Sequence, residues 1–124
     1  DNRCFNLLTT TSYMHADAKE ECEDLGGGLL TVVDQAHQDW VEATFPYTSL
    51  PSSTWHIWLS LSDPDGDYNW EWTYGESDFT YWSHSYYITS GYKVAIMRQP
   101  GSDGKYWSVS DTSLAAVVCE TPLL

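Results

Sequence analysis

Positive charge is scarce in this chain. Its 124 residues carry 5 Lys and Arg against 18 Asp and Glu, a net charge of −13. A balance this acidic makes contact with phosphate backbones or anionic lipid surfaces repulsive, so nucleic acid and membrane surfaces are excluded as expected partners. Long apolar runs are also missing. None approaches the ~20 residues of a membrane-spanning helix, so no membrane insertion is expected. The first residues, Asp1-Asn2-Arg3-Cys4, show no signal-peptide apolar region; a leader was removed or never existed. Cysteine is limited to Cys4, Cys22 and Cys119, with no C-x-x-C pair, so zinc and thioredoxin-type sites are unsupported. His15, His37, His56 and His84 have no metal-type spacing, and no serine sits in G-x-S-x-G. Catalysis is therefore not expected. The run Gly26-Gly27-Gly28 precedes a strand rather than a helix, which argues against a phosphate-cradling loop.

What the chain has in quantity is aromatic rings, 15 % of its residues. Tryptophans 58, 70, 72 and 82 all fall within Ile57–Trp82, interrupted by the turn Asp63-Pro64-Asp65-Gly66. The length suits a single domain spanning 1–124. Phe5–Leu8 reads as a short strand and Thr9–Ser12 as a turn whose Thr11 or Ser12 caps a helix. Met14, Ala18, Cys22 and Leu25 then recur on one helical face. Leu29–Val33 reads as a strand. Asp34 caps a second helix to about Phe45, with Trp40, Val41 and Phe45 inward. Strands are expected at 57–61, 68–72, 94–97, 106–109 and 115–120. His15 on its acidic helix is expected to be solvated and His56 to be packed. Helices early and strands late predict an α+β domain. An odd cysteine count in an oxidising compartment allows one intrachain bridge and leaves one thiol over. The residues alone leave the pairing open.

The order Cys4-Phe5, Ala18, Cys22, Gly26-Gly27, Leu29, Val32, Trp58-Leu59-Ser60-Leu61, Trp70-x-Trp72-x-x-Gly75, Tyr81-Trp82 and Val118-Cys119-Glu120 resembles the C-type lectin-like domain family. The likeness covers nearly the whole chain and suggests a secreted, extracellular, soluble member of invertebrate type. It implies two helices flanking antiparallel sheets with a long-loop region. It also implies a Cys22–Cys119 intrachain disulfide, with tryptophans 58, 70 and 72 as core and loop anchors.

The chain departs from the family pattern in four places. The second disulfide is absent: counting along the family motif places Lys93 and Asp111 at the paired positions, and an ion pair is expected to replace it. The calcium-ligating Glu-Pro-Asn or Gln-Pro-Asp and Trp-Asn-Asp motifs are absent. The corresponding segments read Trp82-Ser83-His84-Ser85-Tyr86-Tyr87-Ile88-Thr89-Ser90-Gly91 and Tyr106-Trp107-Ser108-Val109. Calcium needs six to eight oxygen ligands, several anionic, so no calcium is required for the expected function. Weak calcium candidates remain in the alternating Asp63, Asp65 and Asp67, and in Glu120, which in some family members joins the start of the second helix in a structural calcium site. Lastly, Cys4 lacks the hairpin partner of longer members, which points to a disulfide-linked homo- or heterodimer.

The expected function is a carbohydrate-binding lectin with a non-standard, calcium-independent site in the long-loop region, for glycans such as N-acetylated hexosamines. Its candidate residues are His84, Tyr86, Tyr87, Arg98, Asp103, Tyr106 and Trp107, an aromatic and polar set suited to stacking on a pyranose ring and orienting its substituents. The alternative is a non-sugar interaction or structural module on the same fold, binding a protein, a mineral or another surface.

Overall fold

A computed structural model describes residues 3–50, 56–66, 69–82, 93–98 and 105–122, with the backbone alone at 9–11, 47 and 98. The chain runs β1 (Arg3–Tyr13), α1 (His15–Asp24), β2 (Gly28–Leu29), α2 (Gln35–Thr44), a short 3-10 turn (Tyr47–Ser49), β3 (His56–Ser62), β4 (Glu71–Trp72), β5 (Val94–Arg98), β6 (Tyr106–Val109) and β7 (Ala115–Pro122). The strands form a sheet ordered β1-β7-β3-β5-β6, with β2 paired to β7 and β4 to β3. Pairing between these strands is antiparallel except where β3 meets β7 in parallel at Ile57 and Ala116, and isolated parallel bridges join Leu30 to Leu59 and Trp82 to Tyr106. The sheet is therefore mixed, because the last strand inserts between the first strand and the central β3.

That insertion explains the sequence of β7. Ala115 through Glu120 are all buried, as a central strand covered on both faces requires. Alternate residues serve different cores. Ala116 and Val118 join Ile57, Leu59, Leu61, Ala95, Met97, Tyr106 and the α2 residue Val41. Ala115, Val117 and Cys119 join Trp58, Val94, Ile96 and the α1 residues Ala18 and Cys22. The period-two alternation of β3, β5 and β7 thus builds one core on each side of the sheet. Cys22 and Cys119 are bridged across the second core, 97 residues apart in sequence. A loop of that size is worth up to ~4–5 kcal/mol on the chain-entropy account.

Several local expectations are corrected. β1 continues through the segment read as a turn, so α1 begins after Met14 with no side-chain cap. On α1 only Ala18 and Cys22 are buried; Met14 and Leu25 are exposed. Asp34 does cap α2, accepting a hydrogen bond from His37 N at 2.8 Å. The inward face of α2 carries Gln38, Val41 and Phe45, while Trp40 remains 45 % exposed. A three-four spacing places Gln38, Val41 and Phe45 on one face; Trp40 falls beside it, against Phe5 of β1 at 5.2 Å. His15 is not solvated: its ring stands edge-on to Trp58 at 5.3 Å, and burial lowers its pKa, assisted by Lys19 and opposed by Asp111. Glycine is required by geometry at the end of α1. Gly26 follows α1 at φ +88°, and a Cβ on Gly27 would lie 1.9 Å from the Glu120 carbonyl oxygen.

Candidate functional site

The loop after β4 is held by side chains that reach the neighbouring backbone. Thr73 donates twice to the Ser60 carbonyl, from N at 3.0 Å and from Oγ1 at 2.8 Å. Ser77 Oγ donates to Val32 O at 2.7 Å and accepts from Phe79 N at 3.0 Å. The indole of Trp72 closes the loop by donating from Nε1 to Phe79 O at 2.9 Å. These ties leave a hollow of about 440 Å³ walled by Trp70, Trp72, Glu71, Glu76, Asp78 and Thr80. Trp70 packs edge-on against Trp82 at 5.0 Å. Its Nε1 is buried and has no hydrogen-bond partner among the described residues. Indole faces, three carboxylates and the Ser77 and Thr80 hydroxyls, with no basic side chain among the described lining residues, suit an uncharged or cationic ligand with donor groups and oppose an anionic one.

The residues singled out in the sequence fall differently. His84, Tyr86, Tyr87 and Asp103 lie outside the described residues, as does the side chain of Arg98, whose backbone ends β5 opposite His56. Tyr106 is corrected: it is fully buried, its hydroxyl donates to Gln38 Oε1 at 2.8 Å, and burial raises its pKa. It is part of the core and cannot face a ligand. Its neighbour Trp107 points to the other side of the sheet and packs against the second core. The hollow residues Trp70 and Trp72 do pack on the core as expected, but they also form a wall. The signal was the interleaving of Glu71, Glu76 and Asp78 with aromatics, which reads as a solvated turn until the loop is closed.

The family model for the lectin C-type domain matches residues 11–121. The chain belongs to the C-type lectin domain family. That family is one of lectin-like, non-enzymatic domains. The human secretory phospholipase A2 receptor is 28 % identical over 71 residues, which is 57 % of this chain and 4 % of the receptor. Human lithostathine superposes with a TM-score of 0.83 at 17 % identity, covering 98 % of this chain and 93 % of its own. The murine dendritic cell inhibitory receptor 2 domain, solved in complex with an N-glycan, gives 0.81 at 17 % identity over 98 % and 91 %. A calcium-independent type II antifreeze protein gives 0.80 at 16 % identity over 100 % and 89 %. At these identities the structures establish the fold.

As a C-type lectin domain, the chain invites a fit test for calcium. Glu120 does not fit. It is 1 % exposed, and both its oxygens are taken: Oε2 accepts from Arg3 Nη1 at 2.5 Å and Oε1 from Thr31 N at 2.9 Å. The network continues through Thr31 Oγ1, which contacts Ser60 Oγ at 2.5 Å and donates to the Tyr74 carbonyl. A guanidinium therefore stands where an ion would have to bind. Asp63 is buried, its backbone N–H donating to Lys93 O at 2.8 Å, whereas Asp65 is exposed; Asp67 lies outside the described residues. Among the described residues no group of three or more His, Cys, Asp or Glu is placed to hold a metal. Lys93 and Asp111 are both exposed, and no ion pair between them is formed among the described residues. Both side chains extend into water instead, where such a pair would add only ~0–1 kcal/mol. Cys4 is half-buried on β1, opposite Thr121, and has no disulfide partner within the chain.

Burial pushes the Glu120 carboxyl above its ordinary value, while Arg3 and the Thr31 donors pull it back. A raised folded pKa means that protonation favours the fold, so stability is lost as pH rises from the ordinary 4.5 through the shifted value. The substitution Arg3→Gln removes the compensating cation and enlarges that loss. It should cost about 3 kcal/mol at pH 7 and clearly less at pH 4. His37, held below its ordinary value by burial and by Arg3, moves the difference the same way. Urea melts of both proteins at the two pH values test this; an equal cost at both would contradict it.

Proposed function

We propose that this domain is an extracellular carbohydrate-binding lectin whose long-loop region takes its glycan without a calcium clamp. The observation that carries this reading is the hollow at Trp70–Thr80, where two indoles and several oxygen acceptors meet in the loop that precedes the expected sugar-contacting segment. Aromatic faces with a few placed polar groups suit the mixed apolar and hydroxylic surface of a pyranose. His84, Tyr86, Tyr87, Arg98 and Asp103 are proposed as further contacts from the adjoining chain, and N-acetylated hexosamines as the ligand class. Membership of a lectin family, and the N-glycan in the related murine domain, support the same reading. No described helix is long and apolar enough to cross a membrane, and a long-range disulfide belongs to oxidising compartments.

The second reading, a non-sugar surface-binding module, is favoured by the net charge of −13 and by the likeness to an antifreeze protein. A glycan array probed with and without chelator separates the two. The lectin reading expects binding that chelator leaves intact. Binding lost in chelator would overturn the calcium-independent mode, and no binding in either condition would favour the surface module.

The dimer proposed through Cys4 is a separate matter. Cys4 sits on β1, an edge strand of the sheet order, where a second chain can approach. Non-reducing electrophoresis of fresh protein should show a band at twice the 14.1 kDa chain mass. A band at monomer mass rejects the covalent dimer.

A further inference from the structure

Away from the long loop, β1 and the start of α2 enclose a groove of about 400 Å³, lined by Arg3, Phe5, Val33, Asp34, His37 and Trp40. Three rings cluster there. Phe5 lies 5.1 Å from His37 and 5.2 Å from Trp40, and His37 lies 6.1 Å from Trp40. Trp40 is 45 % exposed, unusual for the largest apolar side chain. The imidazole of His37 is oriented: Nδ1 accepts from Val33 N at 3.3 Å, so the proton resides on Nε2. Nε2 is buried and has no hydrogen-bond partner among the described residues. A buried donor without an acceptor is destabilising, a deficit that a ligand acceptor removes.

We propose that this groove is a second sugar-binding subsite, selective for the acetamido group of an N-acetylated hexosamine. Only the class of ligand rests on the carbohydrate reading above; the site is distinct from the long loop. Each part of the group has a counterpart. The ring's apolar face stacks on Trp40. The acetamido methyl fits the apolar corner of Phe5 and Val33. The acetamido carbonyl accepts from His37 Nε2–H as the exposed Trp40 ring moves aside. The acetamido N–H donates toward the Asp34 carboxylate, one of whose oxygens already accepts from His37 N. Charge points to a neutral ligand. Arg3, whose guanidinium carbon lies 5.2 Å from the centre of the Phe5 ring, opposes a cation, and Asp34 opposes an anion.

The test titrates the full domain with a chitin tetrasaccharide and with a cellulose tetrasaccharide of the same length, followed by tryptophan fluorescence and by the Trp40 indole signal in NMR. The acetamido-bearing oligomer should bind about tenfold tighter or more, a gap of about 1.4 kcal/mol. Trp40→Ala should abolish the shifts that both oligomers cause at the Val33 amide in this groove, while binding at the long loop is left in place. His37→Phe keeps a ring in place and should erase the preference for chitin read at the Trp40 indole signal, while the cellulose response there stays unchanged, which a merely structural role would not do. Circular dichroism confirms that each variant is folded. Chitin binding to the unsubstituted domain that leaves the Trp40 indole and Val33 amide signals unmoved, or Val33 shifts that survive Trp40→Ala, overturns the subsite and leaves the lectin reading standing. Loss of both oligomers in His37→Phe overturns the acetamido assignment. No glycan binding by the unsubstituted domain here or on the array overturns both.

Discussion

The carboxylate of Glu120 is the constraint around which this domain is arranged. It is buried on the central strand β7 and accepts hydrogen bonds from Arg3 on β1 and from the Thr31 backbone before α2. Thr31 in turn is tied to Ser60 on β3 and to the Tyr74 carbonyl in the loop after β4. An unpaired carboxylate buried here would be strongly destabilising, so four distant segments are fixed by the need to satisfy one charge. The Cys22–Cys119 bridge, one residue earlier on β7, ties α1 to the other face of the same strand. The long-loop hollow inherits its position from this frame, since Thr73 and Ser77 anchor it to β3 and to the chain beside Thr31.

The frame was largely legible in the sequence. Alternating apolar residues on β3, β5 and β7 predicted strands, and Asp34 marked the start of α2, because each of these signals is local. The motif order also gave the disulfide, which neither composition nor spacing could have assigned. What escaped were the effects of tertiary contact. Thr9–Ser12 looks like a turn by composition, yet lies within β1, whose pairing with β7 resumes at Tyr13 and Ala115. Trp40 reads as an inward residue because large aromatics usually are; Gln38 took that face, since its side chain meets the Tyr106 hydroxyl. Tyr106 reads as a binding residue for its hydroxyl, and the same hydrogen bond shows why it belongs to the core.

The candidate site was less legible for the same physical reason. Chemistry at a lectin surface is carried by loops, and loops are positioned by contacts far away in sequence. The aromatic residues of the long loop could be named but not placed, and the hollow at Trp70–Thr80 became visible only after the Trp72 indole was seen to close on Phe79. The groove at Trp40 was hidden more deeply, because its two walls are about thirty residues apart and neither carries a motif. Both surfaces join exposed or partly exposed indoles to carboxylates and to a buried ring N–H that has no partner among the described residues. That pairing of apolar faces with unmet donors is what the proposed metal-free sugar recognition rests on.

The account therefore turns on whether protein groups alone hold the Glu120 network. The direct measurement is native-state hydrogen exchange of the Thr31 amide, the donor to Glu120 Oε1, followed by NMR in chelator and again with added calcium. The account predicts slow exchange at the level of the central-strand amides in both conditions. Rapid exchange in chelator that calcium slows would contradict it, showing that an ion rather than Arg3 completes the site.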